Sequence, residues 1–269
     1  MNNLYNIGFR IHDAGNIAKL LVSLTKKGTR IKAGKYSYMR YTDTSGAEIW
    51  TLLNRLGQIV FVYPHFNTKR KRKIRLTGEI KLQNRFPGGG FTALAITTGQ
   101  RSFENGEFTL AFEAPDFYTY GKLVFPQEVE VQLTAFAQKI LYIGNEKNFY
   151  RYQKNEPKWA SRSFIPVGLF DPSDGREEKI PEALALFAGF VKDYSVLHNS
   201  YTGDSFLWIL VDTYGGEIDV VAAWEQMEKL PKIGEVIFGQ FSLSGRILSK
   251  HQTKPNVAWW KRIFWKNPY

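Results

Sequence analysis

Cysteine is absent from all 269 residues, which excludes disulfides, thiolate nucleophiles and cysteine-held zinc or iron–sulfur centres. Histidine is scarce, and His12, His65, His198 and His251 stand far apart with no i,i+4 pair, so no histidine metal motif is spelled out. They read as surface or helix-cap residues. No apolar run is long enough to span a bilayer, and the opening MNNLYNIGFRIHDAG has no charged-then-apolar leader pattern. The expectation is a soluble, cytoplasmic protein without a transmembrane segment. A Walker loop, a Gly-x-Ser-x-Gly elbow and a His-Glu-x-x-His pair are missing as well. These absences argue against an enzyme, and no cofactor or metal is expected.

Acid is short in some places and not in others. The formal net charge is +11, with 43% hydrophobic and 23% charged residues, a globular and not a disordered composition. Residues 1–73 hold 14 Lys+Arg against 3 Asp+Glu, and the final 250–269 hold 5 against none. Residues 181–249 reverse the balance, with 4 cations against 9 acids. Such a block is a poor surface for a phosphate backbone.

The periodicities predict an α+β, mostly β chain. LYNIGFRI reads as a strand, and Ile17, Leu20, Leu21 and Leu24 recur at helical spacing before Gly28. KYSYMRYTD, AEIWTLLN and IVFVYPHF then alternate as strands, giving a βαβββ unit over about 1–67. Further on, four blocks recur in order. LTGEIKLQN (76–84) aligns with FAGFVKDYS (187–195), and GGGFTALAITT (88–98) with GDSFLWILVDT (203–213). GEFTLAFEAPDF (106–117) follows as GEIDVVAAWEQM (216–227) does, and EVEVQLTAFAQKIL (128–141) matches EVIFGQFSLSGRIL (235–248). Each set reads strand, strand, strand, short connection, long strand, which predicts two related units at 74–144 and 181–249. Between them 145–180, with Pro157, Pro166 and Pro172, reads as a linker, and 250–269 as a tail.

Two resemblances follow from these patterns. The repeated units are similar in topology to the oligonucleotide/oligosaccharide-binding (OB) barrel, which has five strands; the fifth must come from the long last run or from a neighbouring segment. The first quarter, ending in Asp43-Thr44-Ser45-Gly46-Ala47-Glu48-Ile49-Trp50, resembles half of a vicinal oxygen chelate domain of the glyoxalase and bleomycin-resistance superfamily. That resemblance implies metal ligands early in the first strand and just after the Asp-x-x-Gly turn. Asn6 and Trp50 occupy those places, and Glu48 falls two residues early, so no metal site is implied.

Three further patterns bear on function. Lys69, Arg70, Lys71, Arg72 and Lys73 with Arg75 form the densest charge cluster, read as a solvated loop suited to a polyanion. Trp259, Trp260, Arg262, Phe264 and Trp265 form an aromatic, basic segment suited to docking on protein, its own chain included. Glu128 with Glu130, and Glu217 with Asp219, lie two apart on strands and read as the solvated face of a sheet. Gly88-Gly89-Gly90 precedes strand and not helix, so it reads as a hairpin turn and not a phosphate loop. The expectation is a non-catalytic binding or scaffold protein acting through protein–protein contacts or self-association. Nucleic-acid binding through the basic first module and the 69–75 loop is the alternative.

Overall fold

The apolar stripe of residues 14–27 forms α1 (Ala14–Lys27), with Lys26 and Lys27 in its last turn, where cations meet the negative end of the helix dipole. The computed structural model describes residues 3–10, 14–81, 87–96, 107–154, 158–167, 182–226 and 229–250. After α1 come four antiparallel strands in chain order: β1 (Thr29–Ala33), β2 (Tyr36–Thr42), β3 (Ala47–Leu53) and β4 (Ile59–Phe66). β3 is buried along its whole length. On one side Ile49 and Ala47 pack with Leu21 and Leu24 of α1, and on the other Trp50 and Leu52 pack with Tyr38 and Tyr63.

The strand expected over LYNIGFRI is not formed. Tyr5–Ile7 is a single 3-10 turn ended by Gly8 in the left-handed conformation. Leu4, Asn6, Ile7 and Phe9 are all buried, and burial of the successive Asn6 and Ile7 does not fit a half-buried strand's alternation. The short, cation-rich β1 was not anticipated either.

The rest of the chain builds a nine-stranded mixed sheet from β5 (Arg72–Lys81), β6 (Gly89–Ile96), β7 (Glu107–Glu113), β8 (Gln127–Gly144), β9 (Ser163–Pro166), β10 (Leu184–His198), β11 (Ser205–Thr213), β12 (Gly216–Ala223) and β13 (Val236–Lys250). The molecule is thus α+β and mostly β. The two sets of strands pair alike. β5 pairs with β6 and β8, and β6 with β7; β10 pairs with β11 and β13, and β11 with β12. The long strands β8 and β13 lie antiparallel from Val236↔Gly144 to Lys250↔Val129. Each set then borrows from the other: β12 runs parallel to β8 at Asp219↔Thr134 to Val221↔Phe136, and β7 meets β13 at Ser244↔Glu113. The pairings close two five-strand rings that share β8 and β13.

One continuous apolar core fills both rings, from Ile74, Phe91 and Phe112 to Phe187, Ile209 and Phe241. Phe187 and Phe241 stack with centroids 3.9 Å apart. The matched Phe91 and Phe206 are both buried, but Phe91 lies in this core and Phe206 packs outside it with Leu21, Leu24 and Phe66. Gly88 lies in the connection between the antiparallel β5 and β6, whereas Gly89 and Gly90 belong to β6 and serve strand approach. A Cβ on Gly90 would sit 2.0 Å from the Phe112 carbonyl oxygen. The stretch expected as a linker carries α2 (Glu146–Tyr152), capped by the Asn145 side chain, and β9, which pairs with β10.

Candidate functional site

The turn at Asp43–Gly46 is tied to the second set of strands. Asp43 Oδ1 accepts the Ser45 N–H at 2.9 Å, and its carboxylate also accepts the N–H and hydroxyl of Ser200, between β10 and β11. Asn199 beside it donates to the Ile7 carbonyl at 2.9 Å. Asn6 is spent in the same junction. Its Nδ2 donates to Ala137 O and its Oδ1 accepts Ala223 N–H, each at 2.9 Å. A carboxamide thus continues the β8–β12 ladder past its last backbone pair.

Trp50, the other place where a metal ligand would stand, is part of a buried polar node. Its Nε1 donates to Glu48 Oε2 at 2.8 Å. The guanidiniums of Arg246 and Arg40 lie 4.5 and 5.2 Å from its ring centroid. Glu48 Oε1 accepts from Arg40 Nε at 3.1 Å and from Thr42 at 3.2 Å. Arg246 Nε donates to Asp116 Oδ2 at 2.9 Å, and Asp116 also accepts from the Tyr120 hydroxyl. Burial alone pushes Glu48 up, but the charges and donors around it outweigh burial and hold its carboxyl below the usual carboxylate range. Burial raises Asp116, against the pull of Arg246.

His65, expected at the surface, is fully buried opposite Glu48 on β4. Its Nδ1 faces Ser244 Oγ at 2.9 Å, and its Nε2 has no hydrogen-bond partner. Burial drives the imidazole down to about 3, so it is neutral and a poor base near neutral pH. Among the described residues, no group of three His, Asp or Glu is placed to hold a metal ion. Asn6 and Trp50 have their polar atoms engaged inside the protein, so these positions do not fit a metal centre. His12 and His251 lie outside the described residues, and His198 is exposed beside Ser205.

The 69–75 cluster is only partly a loop, because Arg72, Lys73 and Arg75 belong to β5. Most of its cations are tied down. Arg70 pairs with Glu217 at 2.8 Å, Lys71 with Glu130 at 3.7 Å and Arg75 with Glu128 at 3.5 Å. Arg72 donates to the Gly215 carbonyl at 2.5 Å and lies 5.8 Å from the Phe108 ring centroid, with burial pushing its guanidinium down to about 10. Lys69 and Lys73 are exposed. A cleft of about 420 Å³ opens here, where β8 changes partner from β5 to β12. Asp219, expected on a solvated face, is buried in its wall and accepts Trp208 Nε1 at 2.8 Å; burial raises its carboxyl.

The basic first module, expected to take nucleic acid together with the 69–75 loop, presents a second basic surface. The acids between residues 14 and 73 are Asp43 and Glu48, and both are buried. Lys19, Lys26, Lys27, Arg30, Lys32, Lys35 and Arg55 are exposed, and none makes an ion pair among the described residues. The signal was present in the count of 14 cations against 3 acids. It became a surface only once both acids proved to be interior. Trp259, Trp260, Arg262, Phe264 and Trp265 lie outside the described residues.

No family model, no curated protein and no solved structure matches this chain.

Proposed function

We propose that the protein is a non-catalytic binding protein that meets a polyanionic partner in the cytoplasm, with nucleic acid the first candidate, through the basic face of residues 14–73. One observation carries the reading: every described acid in that segment is interior, so its exposed charge has a single sign. The buried node supports a structural role for the most chemically suggestive residues, since each carboxylate in it is already engaged. No helix among the described residues is long and apolar enough to cross a membrane. The two rings are read as OB-like units from one duplicated unit, supported by the matched pairing order and by a fifth strand from the neighbouring set.

The test is fluorescence anisotropy of labelled oligonucleotides with the whole protein at two salt concentrations. Binding that weakens steeply with salt supports the reading. No binding at low salt overturns it.

A protein–protein role is the second reading. It is favoured by the acidic segment 181–249, which already takes Arg10 through Glu225 at 2.6 Å and Arg70 through Glu217. A second copy's acidic face meeting the spare cations would give association that dissolves in salt. Sedimentation velocity at low and high salt checks this, and a monomer at both removes it.

A further inference from the structure

The cations spared from pairing are not scattered. α1 ends in Lys26 and Lys27, the chain turns at Gly28, and β1 leaves at once as an edge strand of the four-stranded sheet. Arg30 and Lys32 lie two apart on β1, so they share a face. Lys35 follows the left-handed turn at Gly34. At roughly 3.3 Å per residue, β1 spreads these charges along about 15 Å of one edge.

An aromatic ring stands at each end of this line. Lys27 Nζ lies 4.8 Å from the Tyr201 ring centroid, and Lys35 Nζ lies 5.2 Å from that of Tyr36. Both tyrosines are half-exposed. Their rings are held from behind: Tyr201 edge-on to Tyr41 at 6.0 Å, and Tyr36 against Tyr118 at 4.6 Å. Fixed rings beside exposed cations form a platform on which a base can stack while phosphates are neutralised alongside. The acid nearest to β1 in the sequence, Asp43, is turned inward onto Ser45 and Ser200, and Asp204, three residues past Tyr201, accepts the Arg10 N–H.

We infer that this edge, with Lys27, Arg30, Lys32 and Lys35 on phosphates and Tyr36 and Tyr201 on bases, is a binding site for single-stranded nucleic acid. The inference rests on the polyanion reading above and narrows it. A single strand is the occupant because its base faces are open to stacking, whereas those of a duplex are covered by neighbours. The 69–75 cluster is the weaker site, because Glu217, Glu130 and Glu128 already hold Arg70, Lys71 and Arg75.

The experiment titrates labelled oligothymidine and a duplex of equal length with the full chain, at about 50 and 200 mM salt. Four proteins are compared: wild type; the edge variant Lys27→Ser, Arg30→Ser, Lys32→Ser, Lys35→Ser; the cluster variant Lys69→Ser, Lys71→Ser, Lys73→Ser; and Tyr36→Leu with Tyr201→Leu. At a slope of about 0.7 per phosphate, the edge variant should lose more than a hundredfold at low salt, and its log K–log[salt] slope should fall by about 3. The tyrosine variant should lose about fivefold or more with an unchanged slope. The cluster variant should stay within about fivefold of wild type. Preference for the duplex, or an edge variant that binds like wild type, overturns the inference. If wild type binds and only the cluster variant fails, the site is misplaced while the polyanion reading stands. If wild type binds neither probe but binds polyglutamate, the single-strand inference and nucleic acid as the partner both fall, and the polyanion is an acidic protein. All substitutions in the edge variant are of exposed residues, so its result stands even if the tyrosine variant does not fold.

Discussion

Asn6 and Gln226 grip the same two backbone groups. Each side-chain amide donates to Ala137 O, at 2.9 and 3.1 Å, and each carbonyl oxygen accepts Ala223 N–H, at 2.9 and 3.2 Å. Either residue alone leaves that backbone pair satisfied; losing both leaves a donor and an acceptor without these partners where β8 and β12 part. Gln226→Ala should therefore cost less than about 1 kcal/mol, and Asn6→Ala, fully buried, about 2 kcal/mol. The double variant should exceed the sum by about 1 kcal/mol or more, read as a coupling energy in urea unfolding. Simple additivity would show that the two amides do not share a task.

Glu48 is the anion on which two guanidiniums converge. Glu48→Gln keeps the acceptor for Trp50 Nε1 but removes the charge that faces Arg40 and Arg246. The expected loss is about 2 kcal/mol in urea unfolding, since Arg40 loses its charged partner while Arg246 keeps Asp116. Arg40→Met should cost about 1 kcal/mol, because the Arg40 side chain is 28% exposed and its pairing is screened.

His65 makes stability depend on pH. Its folded value near 3 lies below the ordinary 6.5, so the unfolded chain takes up a proton first as pH falls. Its contribution is complete above about 6.5 and is lost as pH falls towards 3. Between pH 6.5 and 5 that amounts to about 2 kcal/mol, at about 1.4 kcal/mol per pKa unit. Glu48, held below its ordinary 4.5, stays ionised across this window. Urea titrations at pH 7 and 5 should show a difference for wild type that exceeds that of His65→Gln by about this amount.

Two glycines separate steric from conformational demand. At Gly90 a Cβ would collide with the Phe112 carbonyl oxygen, so Gly90→Ala should cost well over 3 kcal/mol or prevent folding. At Gly34 nothing lies within 4 Å of an added Cβ, but φ is +61, and Gly34→Ala should cost only about 1–2 kcal/mol. Thermal denaturation distinguishes them.

The order of the strands was legible because alternation and four blocks in register are local signals; the pairing of β8 with β13 was not. The source of each ring's fifth strand was not, since Asp219↔Thr134 and Ser244↔Glu113 join residues far apart in the chain. The node escaped for the same reason: His65 meets Ser244 and Arg246 meets Asp116 across more than a hundred residues. Residues 4–10 misled because Leu4, Ile7 and Phe9 mark a largely buried plug around a 3-10 turn and not a half-buried strand. The 69–75 run looked like a free loop because the glutamates that hold it, Glu128, Glu130 and Glu217, are distant in sequence.

Because β7 takes its second neighbour from β13 and β12 takes its own from β8, neither ring is complete until the chain has been made as far as β13. A ribosome delivering this protein from its N-terminus holds out an unfinished first ring with raw strand edges while the second half is still being synthesised. Those edges fit the β13 of any neighbouring nascent copy as well as their own. Crowded synthesis therefore carries a built-in hazard of reciprocal strand exchange between chains. Two fragments cut between β8 and β10 would turn the same dependence into use: each inert alone, together a split reporter whose halves complete one another.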